Sequence, residues 1–195
     1  MKTTKGIKAF LPAMLIALLV LPLSMFAQSL TLNNSDSKLS VFGTSSLHDW
    51  EEVAEQQKGS ISIDKTGDTP TLSALTIEIV AESLKSGKSG MDKNTYKALK
   101  TSKFKTITFK LSETTAISAA GNNAYKVSAK GDLTIAGVTK NVPLNFTLTT
   151  SGNTVTLKGE KSFKMSEFKI DPPTAMFGTI TTGDEVKITF NTVFK

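Results

Sequence analysis

The chain has 195 residues, a formal charge of +6, one histidine, one tryptophan and no cysteine. That length suits a single domain with a full core. The missing cysteine excludes disulfides, thiol chemistry and lipid attachment through an N-terminal Cys, and one histidine alone does not make the ligand set that zinc normally takes.

The first residues have the layout of a secretory signal peptide. Lys2, Lys5 and Lys8 precede an apolar run, Ala9 to Leu23, that is broken by Pro12 and Pro22. Polar sequence starts at Gln28, so residues 1–27 are expected to be removed at Ala27-Gln28, which makes the protein periplasmic or secreted. A membrane anchor needs roughly 20 apolar residues without helix breakers, and this run falls short. The three leader lysines supply half of the net charge. Lys97 to Lys110, with Phe104 and Phe109 interleaved, is therefore read as a solvated charged face, with no nucleic-acid partner expected.

The stretch SSLHDWEE, 45–52, holds the single histidine and tryptophan. Read as an extended strand, it places Ser46, His48 and Trp50 on one face and Asp49 on the other. Asp49 then cannot orient the His48 ring, so no Ser-His-Asp triad forms. Two roles fit the pair. Trp50 caps the core while His48 bonds a backbone carbonyl, which is the preferred reading, or both line a pocket with His48 as a polar handle.

Beyond this point the chain alternates with period two. Leu75, Ile77 and Ile79 share one face, followed by Ile107, Phe109 and Leu111 in a second run. Val127, Ala129, Gly131, Leu133 and Ile135 make a third, Leu144, Phe146 and Leu148 a fourth, and Val186, Ile188 and Phe190 close the series. Alternation of this kind marks antiparallel strands with one buried face, about eight or nine of them, separated by turns such as Gly121-Asn122-Asn123 and Ser151-Gly152-Asn153. MDKNTYKALK, Met91 to Lys100, reads as one short helix. GKS at 87–89 is no phosphate loop, because Glu82 stands where its first glycine belongs. No calcium-loop pattern and no nucleophile with a placed base is present, so no enzyme activity is expected. In DPPTAMFG, 171–178, paired prolines precede Met176 and Phe177. These either plug the barrel end as core, the preferred reading, or form a greasy rim.

A sandwich and a barrel both fit this pattern. Ala129, Gly131 and Gly159 among large residues either interlock in a solid core or leave a lumen.

The segment GDLTIAGVTKNVPLNFTLT, 131–149, resembles the signature of the YceI-like family, G-x-L-T-I-x-G-V-T-[KR]-x-V-x-[LF]. LKTSKFKTITFKLSE, 99–113, and GDEVKITFNT, 183–192, are similar to the family's helix-to-strand passage and closing strand. Two departures mark a divergent branch: His48 is followed by Asp49 and Trp50 where many members have a glycine and an aromatic, and Phe163 to Gly178 lacks an arginine often found there. The resemblance covers 28–195 and implies an all-β, antiparallel, eight-stranded lipocalin-like barrel with one short helix. It further implies binding of a long isoprenoid chain in an apolar tunnel, with no catalytic residue and no metal.

On that expectation the lipid-lining residues are the inward ones. His48, Trp50, Ile77 and Ile79 come from the first half of the chain. Phe109, Leu111, Val127, Ala129, Leu133 and Ile135 follow. Phe146, Leu148, Leu157, Phe163 and Met165 come next, and Met176, Phe177, Ile188 and Phe190 complete the set. The expected function is an exported carrier of an apolar, polyisoprenoid lipid. No cofactor is expected beyond a bound isoprenoid or quinone, and transient membrane contact and a homodimer are compatible with it. The alternatives are an interaction module with a solid barrel core and an enzyme of isoprenoid or quinone metabolism.

Overall fold

The computed structural model describes residues 28–195; the expected leader, 1–27, lies outside them. The first strands are β1 (Gln28–Thr31), β2 (Lys38–Ser45), β3 (Trp50–Ala54), β4 (Gln57–Asp64), β5 (Thr71–Val80) and β6 (Leu84–Lys85). Helix α1 (Ser89–Ala98) follows, two residues earlier at each end than the sequence suggests. Then come β7 (Thr106–Ala119), β8 (Ala124–Ile135), β9 (Val138–Ser151), β10 (Thr154–Lys164), β11 (Thr174–Ala175) and β12 (Ile180–Phe194). Every pairing is antiparallel.

Twelve segments replace the eight expected strands because three long strands are broken where the sheet bends. β1 and β2 are two parts of one stretch, as are β3 and β4, and β5 and β6; β11 is a short addition on β12. Counted that way, each long strand pairs with the next around the barrel. The last, β12, returns to the first by pairing with β2 and by a bridge between Leu32 and Phe194. Closure leaves no long edge open to foreign strands.

The three breaks lie side by side, and side chains satisfy the backbone groups they release. The Asn34 amide donates to Glu55 O at 2.9 Å, and its oxygen accepts from Gln57 N at 2.8 Å. Ser83 Oγ accepts from Gln56 N at 3.1 Å and donates to Val80 O at 2.7 Å.

Alternation places apolar side chains inside. On β8, Val127, Ala129, Leu133 and Ile135 are buried, while Lys126, Lys130 and Asp132 are exposed. Ala136 and Gly137, both at positive φ, make the two-residue turn into β9 that a twisted hairpin requires. The interior divides into two clusters. One gathers Ile61, Ile63, Leu148, Val155, Leu157 and Phe194 at the end away from α1. The other gathers Leu39, Ile79, Leu84, Leu99 and Phe168 at the α1 end. Phe109 and Phe190 pack against both.

The small residues seat rings rather than opening a lumen. A Cβ on Gly131 would lie 2.3 Å from the Phe109 ring, and one on Gly159 would lie 2.7 Å from the Phe190 ring. The half of the barrel away from α1 is thus largely filled, with Val127, Ala129 and Leu148 close-packed.

SSLHDWEE is not one strand. It is the turn joining β2 to β3, in which Ser45 Oγ donates to His48 O at 2.7 Å and accepts from His48 N at 3.2 Å. A serine hydroxyl offers the backbone this local alternative to the ladder. Strand pairing resumes at Trp50, opposite Gly43.

Candidate functional site

At the α1 end the barrel is hollow. A cavity of about 450 Å³ lies between α1, β2, β3, the 163–176 segment and β12, and its lining is almost wholly apolar. A smaller space of about 90 Å³ continues deeper, sharing Leu39, Ile79, Ile107 and Ile188 with the first. The larger volume falls within the roughly 300–1,000 Å³ of small-molecule sites.

The structure brings together many of the expected lining residues. His48, Trp50, Ile79, Ile135, Phe163, Met165, Met176 and Ile188 border the larger cavity. Ile77, Phe109, Leu133, Phe146, Leu157 and Phe190 border the deeper space. Leu111, Val127, Ala129, Leu148 and Phe177 border neither. Val127, Ala129 and Leu148 lie in the packed half, which leaves them no free surface to offer.

His48 is exposed at the mouth, with Nδ1 2.7 Å from Asp49 O. Trp50 is half-buried, its indole N–H donates to Thr44 O at 3.1 Å, and its ring covers Gly43, where a Cβ would come within 2.2 Å. Trp50 is therefore fixed as a wall of the cavity.

The 171–178 segment is not a core plug. Thr174 and Ala175 pair with β12, and the chain then turns tightly at Met176 and Phe177, both at positive φ. That conformation throws both side chains outward: Met176 is 68% exposed and Phe177 fully so. Leu47, 67% exposed, stands on the neighbouring turn, which Ser46 N joins to Thr181 O at 2.9 Å. An apolar rim thus borders the opening.

Helix α1 forms the opposite wall, with Met91, Ala98 and, just past its end, Leu99 toward the cavity. Its outer attachments are polar. Asp92 accepts from Ser86 N at 2.9 Å and Ser86 Oγ at 2.6 Å, and Tyr96 Oη donates to Glu82 O at 2.8 Å.

One residue the sequence reading passed over stands out. Glu52 is 2% exposed, lines the cavity, and accepts from Thr95 Oγ1 at 2.5 Å. Burial pushes its carboxyl up to about 7; Thr95 opposes this, Asp92 adds to it and Lys85 opposes it. The signal was present in the sequence: on a strand, Glu52 shares the face of Trp50 and Ala54. The contribution of Thr95 came from a helix 43 residues on, which no local pattern reveals.

Among the described residues no group of three or more His, Asp or Glu side chains could hold a metal ion. What the geometry defines is a closed antiparallel barrel, solid at one end and with an apolar chamber under a short helix at the other. The chain belongs to the YceI-like family, whose domain model matches residues 30–194. In fold it is similar to Burkholderia cenocepacia BcnA, at 23% identity and TM-score 0.65, over 83% of this chain and 98% of that one. It is likewise similar to a polyisoprenoid binding domain from Saccharophagus degradans implicated in plant cell wall breakdown. That likeness has 13% identity and TM-score 0.65, over 87% and 98% of the two chains. A Campylobacter jejuni YCEI protein aligns at 19% identity and TM-score 0.55, over 72% of this chain and 82% of that one. No match is found among curated proteins.

Proposed function

We propose that this protein is an exported carrier that sequesters a polyisoprenoid-type lipid in the chamber beneath α1. The observation that carries this reading is the apolar cavity of about 450 Å³ opening beside Leu47, Met176 and Phe177. Each CH₂ taken from water contributes roughly 0.8 kcal/mol, so a branched hydrocarbon chain is held without many polar contacts. The deeper space beyond Ile107 and Ile188 would receive the chain's far end. The name of the Saccharophagus domain and the membership of the family agree with such a ligand.

The exposed rim suits brief contact with a membrane surface, from which a lipid could pass into the chamber without crossing water. Export rests on the leader pattern of residues 1–27. No catalytic step is assigned. Organic extraction of the purified mature protein followed by mass spectrometry tests the reading. A co-purifying isoprenoid is the expected result. Protein that carries no lipid, and that takes none from isoprenoid-loaded vesicles, rejects it in favour of an interaction module.

A further inference from the structure

The chamber contains a feature that sequestration of hydrocarbon does not need. Among the described residues the buried polar side chains are Ser40, Glu52, Gln57, Ser83, Asp92, Thr101 and Thr192. Of these, Glu52 alone lines the larger cavity. An isolated carboxyl facing an apolar space is costly unless something pairs with it. Thr95 is the one described group that hydrogen-bonds it, and it does so at one oxygen, Oε1. The carboxyl thus keeps acceptor capacity directed at whatever fills the chamber.

We propose that Glu52 and Thr95 form a head-group subsite that accepts a lipid ending in an uncharged hydroxyl and rejects one ending in phosphate. This rests on the carrier reading and deepens it by naming the chemistry of the ligand's polar end. A hydroxyl both donates and accepts, so it satisfies Glu52 whether the carboxyl is ionised or protonated. A phosphate beside it would place like charges together in a space with little water to screen them. The neighbours do not reverse that balance. From α1, Asp92 adds negative charge; from β6, Lys85 is engaged with the Tyr96 hydroxyl and the Tyr96 ring. Lys88 and His48 border the cavity only at its exposed mouth. A ligand lying with its head outward would meet Lys88 there, and would prefer phosphate; the two orientations therefore predict opposite selectivity.

Trp50 lines the chamber and is the only tryptophan in the sequence, so its fluorescence reports occupancy. Farnesol and farnesyl phosphate, which share one chain, are titrated at pH 8 into the mature protein after removal of endogenous lipid. The proposal expects farnesol to bind at least tenfold tighter, and expects Glu52→Gln to bring the two within about threefold by admitting the phosphate. Glu52→Leu, which removes the charge and the cost of burying it, serves where the amide variant does not fold. Glu52→Asp, which keeps the charge, should retain the discrimination, a result that a merely structural role for Glu52 does not predict. Equal affinities in the wild type, a preference for phosphate, or a ratio unmoved by the charge-removing variants overturns the subsite while leaving the carrier reading intact. Failure of both probes to bind overturns both.

Discussion

Thr95 on α1 donates to Glu52 on β3 at 2.5 Å, joining the helix to the barrel wall across a cavity that is otherwise almost wholly apolar. Burial of the Glu52 carboxyl, which the Thr95 bond only partly offsets, sets a pH dependence. Glu52 is protonated in both states below its ordinary value of 4.5, and only the unfolded chain ionises freely between there and about 7. The folded state binds more protons in that window, so stability falls as pH rises through it, by on the order of 3 kcal/mol in all. Asp184, held by Ser166, and Asp92, held by Ser86, have lowered values and act oppositely; their contributions are lost as pH falls through the acidic range. Denaturant midpoints from pH 4.5 to 8 should show the downward slope in the wild type and lose it in Glu52→Gln. An identical slope in both would assign it to other groups.

Gly131 on β8 is a diagonal neighbour of Phe109 on β7, whose ring, with the Lys110 carbonyl, occupies the space a side chain at 131 would need. Gly131→Val should cost about 1–3 kcal/mol by overpacking. Phe109→Ala should also destabilise, yet the double variant should lose less than the sum, because each change relieves the other. Strict additivity in a double-mutant cycle would place the cost on the Lys110 carbonyl rather than on the ring.

His48 and Trp50 should part sharply. His48 is exposed and bonded to a backbone carbonyl, so His48→Ala should change stability by less than about 0.5 kcal/mol. Trp50→Ala removes a half-buried ring from Gly43 together with its bond to Thr44 O, and should cost on the order of 2–4 kcal/mol. A thermal melt of each variant decides; a large loss in His48→Ala would give the histidine a role that its position does not explain.

Met176→Ser combined with Phe177→Ser should leave the melting temperature of lipid-free protein nearly unchanged, since neither side chain is buried. Transfer of a fluorescent isoprenoid from vesicles should slow several-fold if the rim is where lipid enters. Unchanged transfer would move the entrance elsewhere on the opening.

The class of fold is legible along the chain. Period-two runs such as Val127 to Ile135 have one physical meaning, a strand with one face in the core, and turn residues at Asn122 and Gly152 mark where the strands reverse. The same period, counted from Trp50, puts Glu52 and Ala54 on its face, although the strand reading of 45–52 passed over that carboxylate. What it could not state is which inward positions meet packed neighbours and which meet space. Val127 and Leu148 meet packed neighbours, whereas Ile79 and Ile188 border a void. Both kinds of position look alike along the chain, since burial is set locally by the pleat but packing is set by residues that arrive from other strands. Met176 shows the same limit from the other side: an apolar residue after two prolines suits core or rim equally. Only the left-handed turn at 176–177 decided that it faces outward. The chamber exists because α1, inserted between β6 and β7, arches over one barrel end, and its Thr95 reaches a glutamate 43 residues earlier in a relationship only the tertiary structure creates.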